Sequence, residues 1–288
     1  MQFHSLLLSP SANNFYHLSS NNFVEAVEYH PLVPDLAISH EQAPVLALQV
    51  TTFSNCGLCI GITTHHAVLD GKSSTMFMKS WAHLCKNALS SSLVPDLTPS
   101  FDRMVIKDPS RLETIYLNQW LNLDGPHNRS LKVWDLKTPP DVVRGTFELT
   151  RTNLEKLRQL ITNMLEEKNE QQQPSSSLVK VNTNMGLHMV AERNDLLGGK
   201  GCGCGCKGYK RCDKKATGIA GSPRFELYNT DFGWGKPMKV EMISIDRTGA
   251  ISVSDTRDGA GGIKVGLVLK KHEMKVFASI YAKGLEVL

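Results

Sequence analysis

Nowhere in its 288 residues does the chain hold the roughly 18 consecutive apolar residues that a membrane-spanning helix needs. It also lacks the dense lysine and arginine run, interleaved with aromatics, that marks nucleic-acid binding. Charged residues make up 21% of the chain and the formal net charge is only +4. The opening MQFHSLLLSPSANNF has no basic leader and a short apolar patch, so it does not read as a secretory signal. These absences point to a soluble, intracellular protein, expected in the cytoplasm, with neither nucleic acid nor membrane as partner; the mild positive charge would suit anionic small molecules. Three catalytic signatures are missing as well. There is no G-x-S-x-G nucleophile elbow, no Walker A loop, and no G-x-G-x-x-G opening a helix after a strand. What the chain does have is 41% hydrophobic residues, enough for one large domain or two smaller ones.

The seven cysteines are odd in number, and without a secretory signal they are expected as reduced thiols. Four of them, Cys202, Cys204, Cys206 and Cys212, crowd into GGKGCGCGCKGYKRC (198–212). Thiolates at that spacing can bind zinc or copper. No histidine lies nearby in sequence, and a variable glycine-rich loop is the simpler reading, so no metal is assigned.

Periodicity organises the rest. VLALQVTTF (45–53) and LCIGITTHH (58–66) read as a hairpin joined by SNCG, with β-branched residues bounded by turn formers. After DGKSS, the residues Met76, Phe77, Trp81, Leu84 and Cys85 fall at helical spacing, with Ser73 or Ser74 expected as the cap. Residues 89–112 and 117–141 look irregular, and 117–141 is taken as a domain crossover. VVRGTFELT (142–150) reads as a strand. A helix follows over 150–168 with the stripe Leu154, Leu157, Ile161 and Leu165, capped by Thr152 or Asn153. NEQQQPSSS opens a polar, linker-like stretch, 169–216. Order returns at 220–246, and 249–285 gives two short strands, a DG-containing turn between them and a terminal helix from about Lys271. The fold class is α/β with mixed sheets. The domains are 1–116, the crossover 117–141, and 142–288.

The chemistry concentrates in ITTHHAVLDGKSS. His66 stands where a strand ends and a helix is about to begin, a place where side chains enter crevices. An imidazole titrates near neutral pH and makes a good general base. Asp70, four residues on, can orient the ring as a triad acid does, or can hold the loop through another partner. Adjacent strand residues point to opposite faces, so His65 and His66 do not converge on a metal. His65 is read as a structural histidine.

A second element is YNTDFGWGKP (228–237), aromatics alternating with glycines. HHAVLDG and DFGWGKP in this order resemble the two signature motifs of the BAHD family of plant acyl-CoA-dependent acyltransferases. The flanking YHPLVPDL, GITTHHAVLDGKSSTMFMKSWA, AGSPRFELYNTDFGWGKP and SVSDTRDGAGGIKVGLVL look like the branch that malonylates phenolic, flavonoid and anthocyanin glucosides. The resemblance covers about 16–168 and 217–286.

It implies a two-domain fold of the chloramphenicol-acetyltransferase type. His66 would sit in an interdomain channel and deprotonate an acceptor hydroxyl, which attacks the acyl-CoA thioester with no acyl-enzyme. No cofactor is held permanently; malonyl-CoA is a co-substrate. Asp70 would point away from the site and pair with an arginine, with Gly71 beside it. Asp231, Phe232, Gly233, Trp234 and Gly235 would form a structural motif in which Phe232 and Trp234 pack. Arg224 matches a position that contacts the acceptor in some relatives, and Arg103 and Lys72 are cations suited by type to a malonyl carboxylate. A monomer is expected. The resemblance also implies that N-terminal elements and a stretch of the second domain after Lys168 are absent, along with the CoA-lining strands it carries. The competing readings are therefore a non-catalytic truncated homologue, or an incomplete gene model lacking a full CoA site. The least favoured is a thiol-rich metal-binding protein.

Overall fold

In the first of two sheets, the hairpin read from β-branched runs and the SNCG turn is present. The computed structural model describes residues 2–6, 12–88, 92–102, 104–122, 129–131, 137–171 and 218–288. Gln2–Leu6 (β1) runs parallel to Leu46–Phe53 (β3), which pairs antiparallel with Gly57–Thr64 (β4). Phe53 faces Gly57 across the turn, and Asn55 takes a positive φ of 58°, a conformation asparagine tolerates. Gly61 is dictated by close approach: a Cβ there would lie 2.0 Å from the carbonyl oxygen of Leu32. The 3-10 turn Ala26–Leu32 and the chain after it lie across this hairpin. Gln49 donates to the Pro31 carbonyl at 2.6 Å, and Thr63 to that of Pro34 at 2.6 Å.

The second sheet has the order β2-β5-β8-β7-β6: Val24–Glu25 (β2), Val142–Leu149 (β5), Ile263–Lys270 (β8), Ile251–Asp255 (β7) and Ile219–Ala220 (β6). On one face Val143, Phe147 and Leu267 bury against Met274 of the terminal helix Lys271–Val287 (α6), with Phe277 and Tyr281 stacked beside them. The opposite face is polar. It carries Arg144, Thr146 and Lys264, covered by residues 228–246. β2 comes from residue 24, so a strand N-terminal to the 117–141 crossover completes the sheet of the C-terminal half. A smaller core of Val24, Tyr29, Leu32 and Phe53 joins Phe15 and Leu18 near the helix Ala12–Ser19 (α1).

Four expectations are corrected. The helix Gly71–Lys86 (α2) is capped by Asp70, whose carboxylate accepts the Ser73 N–H at 2.7 Å, and not by Ser73 or Ser74. The helix Arg151–Gln171 (α4) is capped by Thr150. Its hydroxyl accepts from Asn153 N–H while the Asn153 side chain accepts from Thr150 N–H, a reciprocal capping box. α4 also continues three residues into the stretch read as linker. A helix, Leu112–Leu121 (α3), occupies chain expected to be irregular. Its apolar residues surround the axis and form no stripe, and Leu112, Ile115, Tyr116 and Leu117 stay exposed. The rest of the 169–216 segment, with Cys202 to Cys212, lies outside the described residues.

Candidate active site

β4 delivers the two histidines at its C-terminal end, and they part at once. His65 turns inward and is 4% exposed, with Nε2 3.0 Å from the Leu131 carbonyl oxygen. This is the structural placement expected of it. His66 begins the exposed turn that leads to α2. Its ring makes no hydrogen bond among the described residues, so both nitrogens are uncommitted.

Among the described residues Asp70 makes no hydrogen bond to the His66 ring. It opens α2, and the Ser73 amide and hydroxyl hold its carboxyl below the usual carboxylate range, with smaller help from the charges of His66 and Lys72. Among the described residues it pairs with no arginine. Its lowered value reflects a helix cap, where the four free N–H groups favour a negative charge.

α2 then carries the site's second half. Its 16 residues span about 24 Å at 1.5 Å per residue. The segment 225–235 lies along it. Phe225 covers Gly71 so closely that a Cβ on Gly71 would meet the ring at 2.8 Å. Glu226 pairs with Lys79 at 3.4 Å, Phe232 meets Trp81 edge to face at 4.9 Å, and Asp231 accepts from Lys86 at 2.6 Å. The Asp231 side chain also gathers the N–H groups of Gly233 and Gly235, both at 2.8 Å. Gly233 and Gly235 hold φ of 105° and 92°, where a side chain would be strained. The Lys86 hydrogen bond first, then the two glycine amides, bring the Asp231 carboxyl down to about 2. Trp234 departs from expectation: it is 75% exposed and only stacks on Phe232, because the loop turns a single side, that of Phe232, toward the helix.

His66 and Asp231 therefore stand at opposite ends of one helix. Arg224, in the turn Pro223–Phe225, is exposed and sits at the His66 end through its neighbour Phe225. Lys72 is exposed in the first turn of α2, and Arg103 lies outside the described residues. An open cavity of about 450 Å³ is lined by Glu148, Lys236, Thr256, Arg257 and Asp258, and not by His66. Among the described residues, no cluster of three or more histidine, cysteine or acidic side chains is placed to hold a metal. No helix among them is long and apolar enough to cross a membrane.

Sequence reasoning missed the strongest electrostatic feature. Arg144, 3% exposed on β5, binds Asp246 through one nitrogen and Glu241 through the other at 2.8 Å. Asp246 lies in the short helix Ile245–Thr248 (α5), and its second oxygen meets His30 at 3.0 Å. Glu241 pairs with Lys239 at 3.1 Å, and Lys239 reaches the Tyr29 hydroxyl at 3.0 Å. Burial raises the Tyr29 hydroxyl, with the Glu241 charge adding to it. Burial also works to raise Glu241, but Arg144 and Lys239 together outweigh it and hold that carboxyl low. The cluster fastens residues 29–30 to the polar face of the second sheet. Its sequence signal was a lone arginine inside the apolar run VVRGTF.

Comparison with known proteins fits this frame. A model of the transferase family matches residues 12–187 and 205–282. The malonyl-CoA:anthocyanidin 5-O-glucoside-6''-O-malonyltransferase of Arabidopsis thaliana is 33% identical, over 98% of this chain and 78% of its own. The chain belongs to the BAHD family of acyl-CoA-dependent acyltransferases. Phenolic glucoside malonyltransferase 1 of the same plant is also 33% identical, over 98% of this chain and 77% of its own. The crystal structure of vinorine synthase superposes with a TM-score of 0.53 at 17% identity, covering 95% of this chain and 74% of that one, which supports the BAHD fold. The first alignment runs over 353 positions, more than the chain's 288 residues, so that relative has internal residues without counterpart here.

Proposed function

We propose that this BAHD acyltransferase moves a malonyl group from malonyl-CoA to a hydroxyl of a phenolic or flavonoid glucoside, with His66 as general base. The neutral imidazole takes the proton of the acceptor hydroxyl, and the oxygen attacks the thioester carbonyl. The tetrahedral intermediate collapses, the carbon–sulfur bond breaks, and the CoA thiolate recovers a proton from the imidazolium. No acyl-enzyme forms and no metal or permanent cofactor is needed. The observation that carries this reading is His66 itself, the one side chain of the two motifs left uncommitted while both motif aspartates are occupied by N–H donors. Asp70, Gly71 and Asp231–Gly235 keep the frame. Arg224 serves the acceptor, and Lys72 is a cation for the malonyl carboxylate. The malonyl donor and glucoside acceptor come from the two Arabidopsis relatives, whose names state them.

A second reading, a non-catalytic homologue without a full CoA site, is favoured by the exposure of His66 and by the internal residues missing relative to the first relative. Holding thioester and hydroxyl together is worth about 7–11 kcal/mol at best, and an incomplete channel forfeits part of it. Turnover below that of a longer relative is therefore expected. The deciding experiment supplies malonyl-CoA and a phenolic glucoside to the purified chain and follows CoA release. Turnover that falls by about 10²–10⁴-fold in His66→Ala supports the acyltransferase reading. No turnover from the folded wild type supports the second.

A further inference from the structure

We propose that His65 is a positioning residue, whose buried imidazole ties the turn bearing His66 to the chain that crosses between the two halves of the protein. The proposal rests on the reading of His66 as general base. Residue 65 is fixed on three sides. Its backbone N–H donates to the Val45 carbonyl at 2.9 Å, extending the β3–β4 ladder by one rung. Its carbonyl accepts the N–H groups of Val68 at 2.9 Å and Leu69 at 3.2 Å, so the turn that carries His66 folds around it. Its side chain reaches the Leu131 carbonyl at 3.0 Å. That contact belongs to a short chain of bonds: the Leu131 N–H donates to the His40 carbonyl at 3.1 Å, and the His40 ring meets Ser130 Oγ at 2.9 Å.

The tautomer follows from the partners. A carbonyl only accepts, so Nε2 of His65 carries the proton and Nδ1 presents a lone pair. Nδ1 is buried and has no partner among the described residues. A histidine kept only for packing would gain from replacement by an apolar side chain of similar size, which removes that unsatisfied atom. A histidine kept to position its neighbour would not, because the Leu131 carbonyl would lose its donor and the turn its anchor. An amide that reaches Leu131 from position 65 should replace the ring, since only the N–H is required.

The test compares His65→Leu with His65→Gln in the full chain. In protein labelled with carbon-13 at histidine Cε1, the His66 signal is assigned by its loss in His66→Ala and titrated. The expected result is a displaced His66 signal and titration midpoint in His65→Leu, restored in His65→Gln. With malonyl-CoA and a phenolic glucoside, kcat in His65→Leu should fall by about 10²-fold, the usual cost of a small misplacement at a reacting centre. KM should stay within about twofold, because ground-state binding is untouched. If His65→Leu does not fold, His65→Asn takes its place, a polar side chain too short to reach Leu131. An unchanged His66 signal in the variant lacking the donor, or equal losses in the Leu and Gln variants, overturns the proposal. A folded wild type without turnover supports the non-catalytic reading instead of the acyltransferase one, while the His66 signal still decides whether His65 positions it.

Discussion

Replacing Arg144 with methionine should be the most damaging single change in the second sheet. The guanidinium is 3% exposed and donates to Asp246, to Glu241 at 2.8 Å and to the Met242 carbonyl at 3.0 Å, while lying 5.4 Å from the centre of the Tyr29 ring. Methionine fills most of the volume but supplies no charge and no donor. The Asp246 side chain, fully buried, is left with His30 alone, and Glu241 with Lys239 and Thr146. Removing one partner of a buried ion pair costs about 3–5 kcal/mol, because the other charge stays out of water unpaired. Whole domains are stable by about 5–15 kcal/mol, so this is a large share. Urea unfolding followed by circular dichroism reads it. With a slope of about 2–3 kcal/mol per molar, the midpoint should drop by about 1–2 M. Arg144→Met combined with Asp246→Asn should recover part of the loss, since the stranded charge is then gone. A drop worth less than about 1 kcal/mol for Arg144→Met would show that the cluster is not buried as described.

Asp231 makes a pH prediction. Its folded-state value of about 2 lies below the ordinary 3.8, so its contribution to stability is complete above about pH 4 and is lost as pH falls toward 2. The margin of the wild type over Asp231→Asn, read as a melting temperature, should shrink across that window; a margin independent of pH would contradict it. Gly71→Ala should cost about 1–3 kcal/mol by overpacking against Phe225, and Phe225→Leu in the same chain should return part of it. If Gly71→Ala alone leaves thermal stability unchanged, the contact between the two motifs is looser than described. Burial pushes the Cys59 thiol up to about 11, so little thiolate forms at pH 8, and alkylation followed by peptide mass spectrometry should label exposed Cys85 well before Cys59. Equal labelling would be the wrong result.

Period made the regular elements legible. The hairpin, β5, α4 and α6 stand within a few residues of where β-branched runs, turn formers and helical spacing put them. α3 was lost for the same reason, because Leu112, Ile115, Tyr116, Leu117 and Trp120 surround its axis and leave no stripe to detect. Caps were misplaced where a residue had been given another duty: Asp70 had been weighed as a catalytic acid, although an aspartate three residues before Ser73 is a plain N-cap signal. Of the Arg144 cluster only the lone arginine inside VVRGTF shows in the sequence, and its partners do not. Arg144 lies 97 positions from Glu241 and 102 from Asp246, and His30 lies 216 from Asp246, and no local pattern announces pairings at that range.

What joins the two sequence motifs is α2, and its ends explain why each motif contains an aspartate. At the N-terminal end, Asp70 accepts the Ser73 N–H and starts the helix. At the C-terminal end, Lys86 reaches out to Asp231, a favourable place for a cation against the helix dipole, and Asp231 folds its own loop by accepting from Gly233 and Gly235. Both carboxylates accept N–H donors that fold the segments around them. Along the same helix Lys79 meets Glu226 and Trp81 meets Phe232, so the loop cannot slide relative to the turn that precedes α2. Within the two motifs that leaves His66 as the titratable side chain with no hydrogen bond among the described residues. It sits on a turn whose start is pinned by His65 and whose end is pinned by the Asp70 cap. On the proposed reading of His66 as base, the residue needs a free lone pair and a fixed address, and these two pins supply the second without using up the first.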